Sequence, residues 1–282
     1  MATNQQRREA AKRKLDRQLD HRAQRTKRNR TLGIAATIGT VVVIAGLIMF
    51  LATRGTDDEQ AAAQDEQSEQ PPIEIPTERV AVPERSKTLP DSTKCGYTKG
   101  SEEPAKEVSP PKDGKVSSSG TVEVTIATSA GDIPLTLDRA LAPCTVHSAV
   151  SLIEQGFYDG SECHRIGTRG LQMLQCGDPT GSGTGGPGYT VPDEFFPELT
   201  YGRGILAMAN TGQPNSGGSQ FFMVFGEAQL PPNYTVFGTI SDEGLQVLDE
   251  VARAGDDGSF EPSPGGGKPN TPVKISKVTL ES

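Results

Sequence analysis

The chain has 282 residues and a formal net charge of −8 at pH 7, enough for one ordinary domain and a good deal of further chain. The charge is uneven: residues 1–30 hold eleven Lys and Arg against three acids, which leaves 17 basic and 33 acidic residues for the rest. These numbers exclude one uniform domain and indicate a basic leader followed by an acidic bulk.

An apolar segment follows the basic leader. Residues 32–53 contain 22 apolar or small residues and no charge, which is the length that crosses a hydrocarbon core about 30 Å thick. A cleaved secretory signal peptide is the alternative, but the apolar core of such a peptide is only about 7–15 residues long. We therefore predict one transmembrane helix at 32–53 that acts as an uncleaved signal-anchor.

The charges on the two sides of this segment predict its orientation. Lys and Arg of residues 1–31 favour the cytoplasmic side, and Asp57 and Asp58 follow on the other side. The sequence thus predicts a single-pass plasma-membrane protein, typical of bacteria, with most of the chain outside the cytoplasm. Because the basic leader lacks aromatic residues that could stack on bases, we expect no nucleic acid partner.

The segment at 54–118 is rich in proline and in acidic or polar residues, and its one aromatic residue is Tyr97. Such a composition buries too little apolar surface to offset the entropy of ordering the chain. We therefore predict that residues 54–118 form a disordered stalk between the membrane and a folded domain.

Four cysteines occur in the chain, and all of them follow the predicted membrane segment: Cys95, Cys144, Cys163 and Cys176. An even number in an oxidising compartment predicts two disulfides, although four cysteines allow three pairings and the spacing does not choose among them. A zinc site is the weaker alternative, because no Cys-x-x-Cys pair occurs and the nearby imidazole of His164 directly follows a cysteine.

A folded domain is predicted at 119–282. Residues 121–126 alternate polar and β-branched side chains with the period of a half-buried strand, and 133–137 run back after a turn. Two amphipathic helices are predicted, at 143–155 and at 243–254. Further short strands are predicted at 163–166, 171–176, 205–208, 221–225, 235–240 and 273–280. Many short strands with only two helices indicate an antiparallel barrel.

Two short motifs that often carry chemistry lack the right surroundings. Gly183, Gly185 and Gly188 match Gly-x-Gly-x-x-Gly, but the pattern predicts neither the preceding strand nor the following helix of a dinucleotide site. The run from Gly217 to Phe221 lacks the closing glycine of a nucleophile elbow. We therefore expect neither a cofactor nor a metal, and hydrolysis is a poor interpretation.

Six short runs stand out in a fixed order. They are Cys-His-Arg-Ile (163–166), Leu-Gln-Cys-Gly-Asp-Pro (174–179), Gly-Thr-Gly-Gly (183–186), Gly-Ile-Leu-Ala-Met-Ala-Asn (204–210), Asn-Ser-Gly-Gly-Ser-Gln-Phe-Phe (215–222) and Tyr-Thr-Val-Phe-Gly (234–238). Together they closely resemble the cyclophilin family of peptidyl-prolyl cis-trans isomerases. The resemblance covers 119–282 and implies a mainly β fold, a closed eight-stranded antiparallel barrel capped by two helices. It also implies an outer apolar groove that binds Xaa-Pro peptides.

The resemblance implies the residues of the site as well. The expected catalytic residues are Arg165, Gln175 and Asn210, and Arg165 matches the arginine of the family's His-Arg-Ile run. The residues expected to bind substrate are Met173, Ala209, Gln220, Phe222, Leu230 and Tyr234, the last in a place that histidine usually fills. Rotation about an amide bond requires no nucleophile, metal or redox group, which agrees with the expected absence of a cofactor.

The chain departs from the family pattern between Arg165 and Gln175, where it has more residues than the common form. As a result Gln172 falls where many members have a groove phenylalanine. Either Leu171 replaces that side chain, or the pocket is weaker.

Two cysteines also depart from the pattern. Cys163 and Cys176 flank the Arg165 segment. The resemblance implies that the two cysteines lie on adjacent strands. We therefore favour a Cys163–Cys176 disulfide, with Cys95 and Cys144 forming the other.

The predicted function is that of an isomerase that acts on Xaa-Pro segments of unfolded or exported proteins and assists folding outside the cytoplasm, where slow proline isomerisation limits it. The alternative is a catalytically weak module of the same fold that binds proline-containing peptides without useful turnover.

Overall fold

The computed structural model describes residues 73–100 and 102–281. The predicted basic leader at 1–31, the predicted membrane helix at 32–53 and the predicted stalk residues 54–72 lie outside that part. Within it, no helix has the length and apolar character needed to cross a membrane. The elements in chain order are β1 (Ser92–Cys95), β2 (Thr98–Lys99), β3 (Gly114–Ser117), β4 (Thr121–Thr128), β5 (Gly131–Asp138), α1 (Pro143–Glu154), β6 (Arg165–Gly167), β7 (Leu171–Cys176), β8 (Tyr189–Thr190), β9 (Ile205–Met208), β10 (Phe221–Ala228), β11 (Val236–Ile240), α2 (Asp242–Arg253) and β12 (Ile275–Leu280).

Eight of these strands form one antiparallel sheet in the order β12-β4-β5-β11-β9-β10-β7-β6. β4 and β5 form the predicted hairpin, which pairs from Thr121 opposite Asp138 to Thr128 opposite Gly131. In β4 the side chains of Val124 and Ile126 are buried and alternate with more exposed neighbours, as the period-2 pattern predicted. The mainly β fold and the eight-stranded sheet are therefore confirmed.

The sheet is curled, but the prediction of a closed barrel is wrong. β12 and β6 lie at the two ends of the strand order and do not pair with each other as strands. Among the described residues, two isolated bridges lie near this edge: Glu162 pairs with Lys274, just before β12, and Ile166 of β6 pairs with Gly267 of the connection between α2 and β12. The connection at 255–272 carries several prolines, which have no N–H to donate to a ladder, so a continuous edge strand does not form here.

Both helices begin within a residue of the predicted position, and polar groups complete their first turns. α1 begins at Pro143, whose fixed φ and missing N–H suit this position. The next N–H, that of Cys144, donates to the side-chain carboxylate of Glu194 at 3.0 Å. α2 is capped by Ser241, whose hydroxyl accepts a hydrogen bond from the Gly244 N–H at 3.0 Å. α1 packs against β12 and α2 against β5, so both helices cover the curled sheet.

A buried ion pair joins α2 to the sheet. Arg203 donates to both carboxylate oxygens of Asp249, at 2.6 and 2.9 Å, and also to the carbonyl oxygen of Phe225 at 2.7 Å. Arg203 is 8% exposed and Asp249 is 9% exposed. The pair therefore links α2 to β10, the strand that carries Phe222.

The predicted disordered stalk is wrong where the structure describes it, in residues 73–100 and 102–118. Here β1 pairs with β3, and β2 pairs with β8 of the domain. Arg85 donates to the carbonyl oxygen of Glu194 at 2.9 Å, and the Tyr97 hydroxyl donates to the carbonyl oxygen of Cys144 at 3.0 Å. Composition does not reveal this order because the segment has little apolar surface of its own and is held by polar contacts to the domain.

The four cysteines form the two favoured disulfides, Cys95–Cys144 and Cys163–Cys176, and none of the four is free. The zinc alternative is therefore wrong. The first disulfide ties β1 to α1. The second links the segment before β6 to the end of β7, next to Gln175.

Replacing Cys95 and Cys144 together with alanine is expected to lower the free energy of unfolding by about 4 kcal/mol. A disulfide that spans 49 residues restricts the unfolded chain strongly. The same replacement at Cys163 and Cys176, which span 13 residues, is expected to cost about 3 kcal/mol. Chemical denaturation followed by circular dichroism measures both losses. A loss below about 1 kcal/mol at either pair would contradict the expectation.

Candidate functional site

An open groove of about 380 Å³ lies against the strands at the β6 end of the sheet. Its wall combines apolar side chains with a guanidinium group. Eight of the nine residues predicted for the site line this groove: Arg165, Met173, Gln175, Ala209, Asn210, Phe222, Leu230 and Tyr234. The structure therefore brings together residues that are up to 69 positions apart in the chain.

The register of three neighbouring strands explains why these residues meet. Arg165 of β6 lies opposite Gln175 of β7, and Gln175 lies opposite Phe222 of β10. Side chains of directly opposed residues point to the same face of a sheet, so these three form a row across the strands. Met173 precedes Gln175 by two residues and shares that face.

A chain of hydrogen bonds orients the polar end of the groove. Arg165 Nη1 donates to Gln175 Oε1 at 3.2 Å, and Gln175 Nε2 donates to Gln220 Oε1 at 3.0 Å. Gln220 Nε2 in turn donates to the carbonyl oxygens of Gly183 and Gly185 at 2.9 and 3.0 Å. Each amide accepts on one side and donates on the other, which fixes its orientation. Gln220, the ninth predicted residue, therefore lies behind Gln175 rather than in the groove wall.

The guanidinium of Arg165 is half-buried and makes two further hydrogen bonds. Nε donates to the carbonyl oxygen of Gly265 at 2.9 Å, and Nη2 donates to the carbonyl oxygen of Pro264 at 2.7 Å. Burial lowers the pKa of Arg165, while the neighbouring Tyr234 and Glu261 oppose that change. An arginine stays protonated at neutral pH even so, and the groove therefore contains a fixed positive charge.

The apolar wall of the groove is formed by side chains that are held firmly by their neighbours. The Phe222 ring is 5% exposed and packs edge-to-face against Tyr234, with ring centres 5.6 Å apart. Met173 is 1% exposed, and Leu230 is partly buried at the groove's rim. This wall offers apolar surface of the kind against which a small apolar ring packs.

Ala209 and Asn210 also line the groove, just after β9. The Ala209 N–H donates to the carbonyl oxygen of Gln220 at 2.9 Å, which fixes this segment against β10. The Asn210 side chain donates to the carbonyl oxygen of Asn233 at 2.8 Å and accepts from the Gly212 N–H at 2.9 Å. Asn210 therefore has an internal role in the turn as well as a place in the wall.

The strand that contains the extra residues between Arg165 and Gln175 presents one of two adjacent side chains to the groove. Leu171 lines the groove, whereas Gln172 lies on the other face of β7. Gln172 is 5% exposed, donates to the carbonyl oxygen of Glu74 at 2.7 Å and accepts from the Glu227 N–H at 2.8 Å. The geometry agrees with the first of the two alternatives, in which Leu171 takes the place of the family's phenylalanine.

Leu171→Ala is expected to raise KM for an Xaa-Pro peptide about 3- to 10-fold, because apolar contact with the bound peptide is lost. Its neighbour supplies a matched control. Gln172→Ala is expected to leave KM unchanged and to lower the free energy of unfolding by about 1–3 kcal/mol, since the hydrogen bonds that this buried amide makes to Glu74 and Glu227 are lost. Steady-state kinetics and chemical denaturation of both variants measure these effects, and the opposite pattern would reverse the assignment of the two faces.

The glycine-rich loop after β7 has a structural explanation. The Asp178 carboxylate accepts hydrogen bonds from the N–H groups of Gly183 and Thr180 at 2.7 and 2.8 Å, which closes the loop. Burial raises the pKa of Asp178, but the hydrogen bonds from Thr180 and from the loop backbone outweigh it, and the net change is downward. The motif therefore forms a turn around a carboxylate rather than a phosphate site.

His164 lines the groove beside Arg165, a position that the sequence did not assign to the site. Burial lowers the pKa of His164, so its ring is neutral at pH 7. Its Nδ1 atom has no hydrogen-bond partner within the described residues. Over those same residues no group of three His, Cys, Asp or Glu side chains could hold a metal ion.

The other unassigned part of the groove comes from the connection between α2 and β12. Phe260 and Pro264 line the groove next to Arg165. The six runs that carry the family resemblance do not include this connection. The proline and glycine residues from Pro262 to Pro269 are the sequence feature that could have indicated this part of the groove.

Comparisons with known proteins agree on one family. Residues 122–280 match the family described as cyclophilin type peptidyl-prolyl cis-trans isomerase/CLD. A probable peptidyl-prolyl cis-trans isomerase B of Mycobacterium leprae is 39% identical over the full length of both chains. A protein of the same description from Mycobacterium tuberculosis is 46% identical over 66% of this chain and 64% of its own.

A crystal structure of a cyclophilin type peptidyl-prolyl cis-trans isomerase from Cryptosporidium parvum is also similar. It has 31% sequence identity and a TM-score of 0.49, and the match covers 58% of this chain and 99% of that one. The family match spans more than half of the chain and includes every residue that lines the groove. The chain therefore belongs to the cyclophilin-type peptidyl-prolyl cis-trans isomerase family.

Proposed function

We propose that the chain isomerises Xaa-Pro bonds in the groove lined by Arg165 and Phe222, and that its substrates are exported or envelope proteins that fold outside the cytoplasm. The observation that carries the proposal is the row formed by Arg165, Gln175 and Phe222. It places a fixed positive charge beside an apolar wall on one face of the sheet.

The chemistry of the reaction explains why these residue types suffice. Rotation about an Xaa-Pro bond has a barrier of about 20 kcal/mol because the amide resonance must be broken. As the bond twists, the lone pair localises on the proline nitrogen and becomes a hydrogen-bond acceptor. The Arg165 guanidinium would donate to that nitrogen more strongly in the twisted state than in the planar one. Such a differential interaction lowers the barrier.

The remaining residues would hold the peptide while the bond turns. Phe222, Met173 and Leu230 provide the apolar wall against which the proline ring packs. Gln175 and Asn210 supply amides at the groove for the peptide backbone, and Gln175 also orients Arg165. The ring is thereby held at one end, and the preceding residue is free to rotate.

A protease-coupled assay with the full chain distinguishes an isomerase from a module that only binds. The substrate is a short Xaa-Pro peptide, and the protease cleaves the trans form alone. We expect acceleration well above the uncatalysed rate together with peptide binding measured by calorimetry. Binding without acceleration would instead support the catalytically weak module, and the absence of both would contradict a peptide site in this groove.

We further propose a single-pass plasma-membrane location, with residues 1–31 in the cytoplasm and the isomerase domain outside. The support is the charge-free run at 32–53 between a basic and an acidic segment. The test has two parts on separate samples of expressing bacteria: alkaline extraction of isolated membranes, and protease treatment of intact spheroplasts. The chain is expected to stay with the membrane and to lose its domain to external protease. Release by alkali would contradict the anchor.

A further inference from the structure

The segment at 260–267, here named the groove loop, is seated on the strand that carries Arg165. Ile166, the next residue of β6, accepts a hydrogen bond from the Gly267 N–H at 3.0 Å and donates its own N–H to the Gly267 carbonyl oxygen at 2.8 Å. Gly266 has a positive φ of 76°, and a Cβ atom at this position would collide with the Ile166 carbonyl oxygen. Only glycine therefore lets the loop approach β6 this closely.

The groove loop is also closed by bonds within itself. The Gly265 N–H donates to the Phe260 carbonyl oxygen, and the Phe260 N–H donates to the Gly266 carbonyl oxygen, both at 3.0 Å. The Glu261 carboxylate accepts from the Gly266 N–H at 2.7 Å. These contacts define the loop's shape without any help from the Arg165 side chain.

The loop presents two carbonyl oxygens to the Arg165 guanidinium. Each of the three guanidinium nitrogens of Arg165 therefore donates one hydrogen bond. Nε donates to Gly265, Nη1 to Gln175 and Nη2 to Pro264. A guanidinium has five N–H donors in a rigid fork, so two remain for a substrate. The count leaves donors available for the peptide, which agrees with a supporting role for the loop.

We propose that the groove loop is a positioning element that holds the Arg165 guanidinium in its reactive orientation before substrate arrives. This inference rests on the proposed isomerase function. An unsupported arginine has a long side chain with many rotamers, and fixing it in advance removes that entropic cost from the transition state. Gln175 fixes one side of the fork, and the loop fixes the other.

The test compares two glycine-to-alanine variants of the full chain. Gly266→Ala forces the loop away from β6, whereas Gly258→Ala introduces alanine at a similar positive φ of 64° with no atom within 4 Å of the new Cβ. Both substitutions place alanine at a positive φ, so their local backbone strain is similar. Only Gly266→Ala disturbs the contact between the groove loop and β6. We expect kcat/KM to fall about tenfold in Gly266→Ala, mostly through kcat, and to change less than about twofold in Gly258→Ala.

A spectroscopic measurement reports on Arg165 independently of activity. The Arg165 Nε–H signal in a ¹⁵N NMR spectrum should exchange slowly with solvent in the unmutated chain and in Gly258→Ala, and rapidly in Gly266→Ala. Should Gly266→Ala fail to fold, Glu261→Ala is the second variant. It removes the carboxylate that accepts from the Gly266 N–H, and so loosens the loop without changing a residue that lines the groove.

Three results would overturn the proposal. The first is fast solvent exchange of the Arg165 Nε–H in Gly266→Ala together with an unchanged kcat/KM. The second is a rise in kcat/KM, which would make the loop a lid. The third is a tenfold fall that persists when Arg165→Ala is already present, because the loop would then act without Arg165. If the unmutated chain does not isomerise peptides at all, the proposed function has failed, and the Nε–H exchange alone decides whether the loop holds Arg165.

Discussion

Arg165→Ala is expected to lower kcat/KM for Xaa-Pro isomerisation by about 100- to 1000-fold, the usual effect of removing a donor that acts in the transition state. The half-buried guanidinium is fixed by Gln175 and by two backbone carbonyl oxygens, and no other lysine or arginine is among the described residues that line the groove. The protease-coupled assay at a peptide concentration below KM measures the ratio directly. Peptide binding should weaken far less than the rate.

Two further variants make this result specific. Arg165→Lys keeps the charge but loses the planar fork, and it should recover only part of the activity. Arg139→Ala removes a partly buried arginine that bonds to the Thr121 carbonyl oxygen outside the groove, and it should leave kcat/KM within about twofold of the original. A drop of less than tenfold in Arg165→Ala would show that the barrier is lowered by other groups.

Asp249→Ala is expected to lower the free energy of unfolding by about 3–5 kcal/mol. Removing one partner of a buried ion pair leaves the other as an uncompensated buried charge. Here that charge is Arg203, which is 8% exposed and would keep only its bond to the Phe225 carbonyl oxygen. Urea denaturation followed by circular dichroism measures the loss.

The same helix offers the control. Asp242, also on α2, forms an ion pair with Arg79 at 2.8 Å, but its side chain is 77% exposed. Because water and salt screen such a pair, Asp242→Ala should cost at most about 1 kcal/mol. Similar losses from both variants would mean that burial does not govern the strength of these two pairs.

Much of the domain is predictable because local patterns and the fold agree. The hairpin of β4 and β5 follows from alternation, and α1 begins at the proline that favours a first helical turn. The groove residues are predictable for a different reason. Arg165, Gln175 and Phe222 have no common local pattern, and only the six ordered runs indicate that their strands are neighbours.

The features that were missed depend on tertiary contacts. The order in residues 73–100 and 102–118 arises from pairing with β8, from Arg85 and from a disulfide, none of which is visible in composition. The open edge between β12 and β6 follows from the proline-rich connection at 255–272. The groove loop within that connection depends on a close approach of Gly266 to β6, which a sequence reveals only as one glycine among several.

NMR exchange spectroscopy of a short Xaa-Pro peptide, with the full chain at a small fraction of the peptide concentration, tests the central claim most directly. The uncatalysed cis and trans forms interconvert in about 10–100 s at 25 °C, so the free peptide shows two separate signals without exchange on the second timescale. The account predicts exchange peaks between the two forms within about a second when the chain is present, and their loss with Arg165→Ala. Exchange peaks that are absent with the unmutated chain, or unchanged in the variant, would contradict it.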